Sequence, residues 1–170
     1  MNIKKIKMSS KIPIVRQTAW ISIVPHLMVM GLIMLIWYQF NKTEFILYGA
    51  ITYLIISQLL RRVIAKEHKA GMLKVKLEKF EEAIPLFKNS YEFFKRNDWI
   101  DKYRFLTLLS SGRMTYKEMA LINIAFCYGQ SGNGKLSKEY YERALNEYPK
   151  SGMAKAGLRL LNSISDSQDK

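Results

Sequence analysis

The sequence predicts an all-α protein: an N-terminal two-helix transmembrane hairpin followed by a domain of short paired helices. Three observations lead there. Two long stretches near the N-terminus carry no charged side chain. The rest of the chain places apolar residues at helical spacing. The breaks between those stripes are made of Gly, Asn, Ser and Pro, residues that turn a chain. The 170 residues accommodate one modest domain and something more, and a mean hydropathy of −0.10 averages an apolar first third with a charged remainder.

The leader, residues 1–17, holds Lys4, Lys5, Lys7, Lys11 and Arg16 and no acid. The hairpin, residues 18–60, follows. Its first span covers about 19–38, and Ala19 to Trp37 contains no Asp, Glu, Lys or Arg. Nineteen residues at a rise of about 1.5 Å cover roughly 28 Å, close to the hydrocarbon thickness of a bilayer. Trp20, Trp37 and Tyr38 lie at its ends, where aromatic rings favour the membrane interface. A polar link, Gln39–Glu44, leads to a second span at about 45–60, which stops at Arg61-Arg62. The first apolar run is too long for a cleaved signal peptide, no small-x-small site follows it, and another span comes at once. The basic flanks, set against Lys42 and Glu44 in the link, place both termini in the cytoplasm, with two spans in the cell (inner) membrane. Arg61, Arg62 and the leader would meet anionic lipid headgroups there. His26 and Gln58 are the polar candidates inside the spans, and Tyr53, Ser57 and Gln58 are expected to hydrogen-bond between them.

No Pro or Gly separates Leu60 from Ala70, so the second span is expected to continue into 61–77 as one long helix. The helical domain covers 61–164. Its clearest part is Ala120–Pro149. Leu121, Ile124, Ala125 and Tyr128 form one stripe, and Leu136, Tyr140, Tyr141, Ala144 and Leu145 form the next. Ser131-Gly132-Asn133-Gly134 is the corner between them. Thr115-x-x-Glu118 reads as a capping box ahead of the first. An inserted helix at about 99–110 is expected, capped by Asp98 and striped by Trp99, Tyr103, Leu106 and Leu109. A terminal helix at about 152–162 follows Ser151-Gly152, and 165–170 reads as a flexible tail.

Over Glu118–Ser151 the paired helices resemble a tetratricopeptide (TPR) repeat, a 34-residue helix–turn–helix. Leu121 takes the large position, Ala125 and Ser137 the small ones, and Tyr128 and Tyr141 the aromatic ones, before Ala144 and the closing Pro149. Ala125 departs from the commoner Gly and Ser137 from the commoner Ala. Ile64–Asn97 resembles a second repeat through Gly71, Ala83 and Phe87, with departures at Glu67, Ser90 and Lys95. Taken together, Lys66–Leu161 resembles a small bacterial membrane-anchored TPR protein.

The resemblance implies a concave groove lined by the first helix of each repeat. Ala65, His68, Met72 and Val75 would come from the first repeat. Met119, Ile122, Asn123, Phe126 and Gln130 would come from the second, and Met153 and Ala156 from the terminal helix. Of the Lys and Asn that clamp a peptide carboxylate in some TPR domains, only Asn123 is in place. Ile122 and Phe126 make the strip apolar, as a groove for an amphipathic helix would be. The inserted helix either covers this groove or leaves it open.

Nothing in the sequence asks for catalysis. Gly129-Gln130-Ser131-Gly132-Asn133-Gly134 lacks the Lys-Ser/Thr ending of a phosphate loop. Two His and one Cys make no ordinary zinc site, Cys127 has no disulfide partner, and His68 reads as a solvated or groove-lining residue. No enzyme activity, cofactor or metal is expected. The net charge of +13 raises nucleic acid, but Lys66, Lys69, Lys74, Lys76 and Lys79 are interrupted by Glu67 and Glu78 and adjoin the membrane, which favours lipid. The expected role is protein–protein interaction, as an adaptor or scaffold with a protein partner at the cytoplasmic face. The alternative is an integral accessory subunit of a larger membrane complex, such as a transporter, with the spans as its binding surface. Reporter fusions after Lys42 and after Lys170 should report opposite sides of the membrane, and two reporters on one side would refute the hairpin.

Overall fold

The structure, a computed structural model, describes residues 20–168, with side chains for 20 and 22–163. The basic leader, 1–17, and the last two tail residues lie outside the described residues. Among the described residues all regular structure is helical, α1 to α9 in chain order after a 3-10 turn at Trp20–Ser22. The described chain divides into two compact units, one of 20–66 with 97–115, the other of 67–96 with 116–168.

The first unit contains two helices long and apolar enough to cross a membrane, α1 (Ile23–Phe40) and α2 (Phe45–Ile64). They pack on each other as a hairpin. None of α1's residues is buried, and α2 buries only Gly49 and Ser57. Large apolar side chains such as Leu32, Leu35, Leu54 and Leu59 therefore point outwards, the reverse of a water-soluble helix pair. The helices touch through small residues and one polar bond. A Cβ on Gly49 would stand 3.2 Å from the Met34 Cα, and Trp37 Nε1 donates to Thr52 Oγ1 at 3.0 Å. α1 runs on through Gln39 and Phe40, so the link shortens to 41–44. There Asn41 Oδ1 accepts from the Thr43 and Glu44 N–H groups at 3.0 and 3.1 Å, a side-chain turn of the kind Asn favours.

The expected continuous helix into 61–77 is not formed. α2 ends at Ile64, Ala65 takes a turn conformation (φ −99°, ψ 30°), and α3 begins at Lys66. Ala65 is buried, so tertiary packing rather than a Gly or Pro breaks the helix. The inserted helix also differs from expectation. It is two short pieces, α5 (Asp98–Lys102) and α6 (Arg104–Thr107), interrupted at Tyr103, and Asp98 stands inside the first turn rather than at the cap. Side chains compete with the helix for its carbonyls. Thr107 Oγ1 donates to the carbonyls of Ile100 and Tyr103. The buried Arg104 guanidinium donates to those of Asp101, Gly112 and Arg113 at 3.1, 3.1 and 2.6 Å. Leu109 ends the segment in a left-handed conformation, φ 44°. Leu108 and Leu109 are buried here, whereas Trp99, Tyr103 and Leu106 of the expected stripe are exposed.

The second unit stacks α3 (Lys66–Lys76), α4 (Phe80–Arg96), α7 (Tyr116–Gln130), α8 (Gly134–Glu147) and α9 (Gly152–Gln168). α7 lies against α4 and α8, and α9 against α8 and α7. The core gathers Val75, Ala83, Ile84, Phe87, Ile124 and Cys127. Pro85 sits within α4 on its exposed side. The α7–α8 corner uses Gly132 at φ 81° and Asn133, whose Oδ1 accepts from Leu136 N at 3.1 Å, a side-chain N-cap. α9 runs to Gln168, past the expected end near 162 and through most of the expected tail, since no Gly or Pro after Leu161 stops it.

Close approach here depends on residues without bulk. A Cβ on Gly71 would stand 2.8 Å from the Phe87 ring, one on Gly157 would strike the Tyr141 ring, and Ser137 Oγ donates to the Ala125 carbonyl at 2.8 Å. A Gly71→Ala variant should overpack by about 1–3 kcal/mol against a helix-propensity gain of about 1 kcal/mol. The expected net loss, read by chemical denaturation in detergent, is about 1 kcal/mol. Gly134→Ala, which meets open space, should be neutral or slightly stabilising. Equal stability of the two variants would show that Phe87 has room to move.

Candidate functional site

The residues expected to line a groove fall into two groups. His68, Val75 and Ile122 are buried and belong to the interior, so they line nothing open. Ala65 is buried as well, in the other unit. Met72, Met119, Asn123, Phe126, Gln130 and Met153 are half-buried, and Ala156 is exposed.

α3 and α7 bring part of the second group together. Asn123 Nδ2 lies 3.6 Å from Met72 Sδ. One turn further along α7, Phe126 packs edge-on to Phe80 with ring centroids 5.9 Å apart. Both rings lie against the hydrophobic core while staying partly accessible. Met119 stands in the first turn of α7 and Met153 in the first turn of α9, which packs on α7 and α8. Gln130, at the end of α7, has its Nε2 buried without a hydrogen-bond partner. The accessible remainder is thus a strip of thioether and aromatic surface with one amide at its middle. Methionine side chains are flexible and polarisable, and suit surfaces that adapt to a partner. Phe80 belongs to this strip but escapes the sequence reading, because it stands in the first turn of a second helix, outside the pattern that assigns the groove to first helices.

His68 has a different role from the one its sequence suggests. Its ring is packed edge-on between Phe87 and Tyr116, with centroid distances of 5.3 and 5.2 Å. Its Nδ1 is 3.4 Å from the buried Ser90 Oγ. Burial holds the imidazole neutral and lowers its pKa to about 4. Cys127 is likewise enclosed, and burial pushes its thiol up to about 12, leaving no thiolate for nucleophilic attack. Among the described residues, no three His, Cys, Asp or Glu side chains gather as a metal site requires.

Of the two polar candidates in the hairpin, Gln58 is exposed, and the bond between the helices is made by Trp37 and Thr52 instead. His26 is half-buried beside Tyr53, ring centroids 6.4 Å apart, and its Nε2 is buried without a partner. Ser57 is buried and accepts from the Arg61 side chain, which also donates from Nε to the Ser57 carbonyl at 3.1 Å.

Comparison with protein-family models, with curated proteins and with solved structures gives no match to this chain.

The His68 environment sets a pH dependence. The unfolded chain protonates this imidazole near 6.5, while the folded one resists protonation down to about 4. The unfolded state therefore binds more protons between those values. Stability is full above about pH 6.5 and is lost as the pH falls towards 4, by about 3 kcal/mol from this group. Denaturation curves of wild type and His68→Gln across that window should differ in slope, the variant lacking this component. Parallel curves would show that the folded His68 titrates normally.

Proposed function

We propose that this chain is a membrane-anchored adaptor of the TPR kind. The α1–α2 hairpin is embedded in the cell membrane with both termini in the cytoplasm, and the helical unit binds a protein partner there. The outward apolar faces of two helices about 27 and 30 Å long support the anchor. A recurrence within the helical unit supports the repeat. Gly71 faces Phe87, and the buried pair Ala125 and Tyr141 repeats the same spacing, a small residue followed by an aromatic one sixteen positions on (71 to 87, 125 to 141). The single observation that carries the binding role is the half-buried strip of Met72, Met119, Asn123 and Phe126, an apolar surface with an adaptable rim that fits the apolar face of an amphipathic helix.

A second reading has its own observation. His26 is half-buried in the first turn of α1 beside Tyr53, and an ionisable ring left partly accessible within a span favours a hydrogen bond from another membrane segment. In that reading the chain is an accessory subunit of a larger complex and the spans make the contact.

One experiment separates the two. The intact protein is purified in mild detergent with whatever it carries, alongside Met119→Lys/Asn123→Lys and His26→Leu variants of unchanged helicity. Loss of the partner in the first variant alone supports the adaptor, and loss in the second alone supports the subunit. Ile122 is a poor choice for such a test, since a buried charge there would unfold the helix stack. Retention of the same partner by both variants would exclude both surfaces.

A further inference from the structure

The inserted helices α5 and α6 belong to the same compact unit as the hairpin, and α6 packs against α1. The contact lies at one end of the span. The His26 ring, three residues into α1, lies near the backbone of Phe105 in α6. Three residues of helix rise only about 4.5 Å. The insert therefore sits level with the first turn of α1. The same end of the hairpin carries the Ser57–Arg61 pair of α2. By the anchor reading, this is the boundary between hydrocarbon and cytoplasm.

The insert's surface is unusual for a water-facing corner. Trp99, Tyr103 and Leu106 are 60%, 53% and 52% exposed, within eight residues of one another. Beside them Lys102 Nζ lies 5.7 Å over the Tyr103 ring. Amphipathic aromatic rings with neighbouring cations are the side chains that favour the headgroup layer. The backbone fits as well. Irregular chain near hydrocarbon is tolerated when its polar groups are satisfied internally. Here Arg104 and Thr107 take up the carbonyls of Ile100, Asp101, Tyr103, Gly112 and Arg113.

We propose that α5 and α6 form an interfacial foot, with Trp99, Tyr103 and Leu106 seated in the headgroup layer of the bilayer that α1 and α2 enter. The inference rests on the reading of α1 and α2 as membrane spans. It gives the stripe of the insert a lipid partner in place of a peptide groove. The foot would grip the membrane from the cytoplasmic side, adding contact area beyond the two spans.

The test uses tryptophan as a depth probe in the full chain, reconstituted in phosphatidylcholine–phosphatidylglycerol vesicles. Trp20, Trp37 and Trp99 are its only tryptophans. Trp20→Phe/Trp37→Phe leaves Trp99 alone. A second variant replaces all three by Phe and introduces Leu32→Trp at the middle of α1. Lipids brominated at shallow or deep acyl positions quench a ring at the matching depth, and acrylamide quenches a ring in water. Trp99 should lose most of its emission to shallow bromines, less to deep ones and little to acrylamide, while the Leu32→Trp reporter responds to deep bromines. If that reporter responds but Trp99 is quenched by acrylamide alone, the foot is refuted and the anchor stands. If Trp99 is shielded from both quenchers, protein covers it, for instance a second copy of the chain, and the proposal fails equally. If lipid quenches neither ring, the spans themselves are not in the bilayer.

Discussion

A Cβ on Gly49 would stand 2.6 Å from Met34 Cγ, and a Cβ on Gly71 would stand 2.8 Å from the Phe87 ring. Those two absences of bulk lie in different units, yet they do the same thing. Helices carry side chains on all sides, and two axes approach closely only where one of them has nothing to offer the other. In the hairpin, Gly49 lets α2 settle on α1 so that the Trp37–Thr52 bond can form. In the helical unit, Gly71, Ser137 and Gly157 do the same for successive helices. The stacking order, the buried rings and the strip on α3 and α7 all follow from these approaches. A bulkier residue would push the helices apart and open the core beneath.

The two units solve the burial problem in opposite senses. The helical unit turns Phe87, Phe94, Leu121 and Ile124 inwards and presents charge outside, including the Lys74–Glu82 and Arg143–Glu147 pairs. The hairpin turns its apolar side chains outwards and buries only Gly49 and Ser57. Apolar side chains left outside, with small and hydrogen-bonding residues at the contact, are the pattern of helix pairs in lipid. The insert belongs to the same unit as the hairpin. Its interior is built around a buried arginine, and its outside is aromatic.

His68 and the insert show where a sequence misleads. A His beside Lys69 reads as a surface residue, yet the ring is clamped by Phe87 and Tyr116 from helices nineteen and forty-eight residues away. The Trp99–Leu109 stripe has helical spacing, but periodicity assumes an unbroken helix. Arg104, which reaches eight and nine residues along the chain to the carbonyls of Gly112 and Arg113, helps to keep it from being one. Ala65 is the same kind of case, since no local residue type announces the break there.

By itself the sequence determined the helical class, the two apolar helices of membrane length, and the corner at Gly132-Asn133. These rest on local chemistry: uncharged runs, 3.6-residue spacing, and residues that tolerate a left-handed turn or cap a helix. Tertiary structure alone decided which side of each helix is used. α7 is the clearest instance. Ala120, Leu121, Ile122, Ile124, Ala125 and Cys127 are buried around much of its circumference, because neighbouring helices flank it on several sides. A helix apolar all round has no face for periodicity to single out. Only its neighbours leave Met119, Asn123 and Phe126 partly accessible and close Ile122 away.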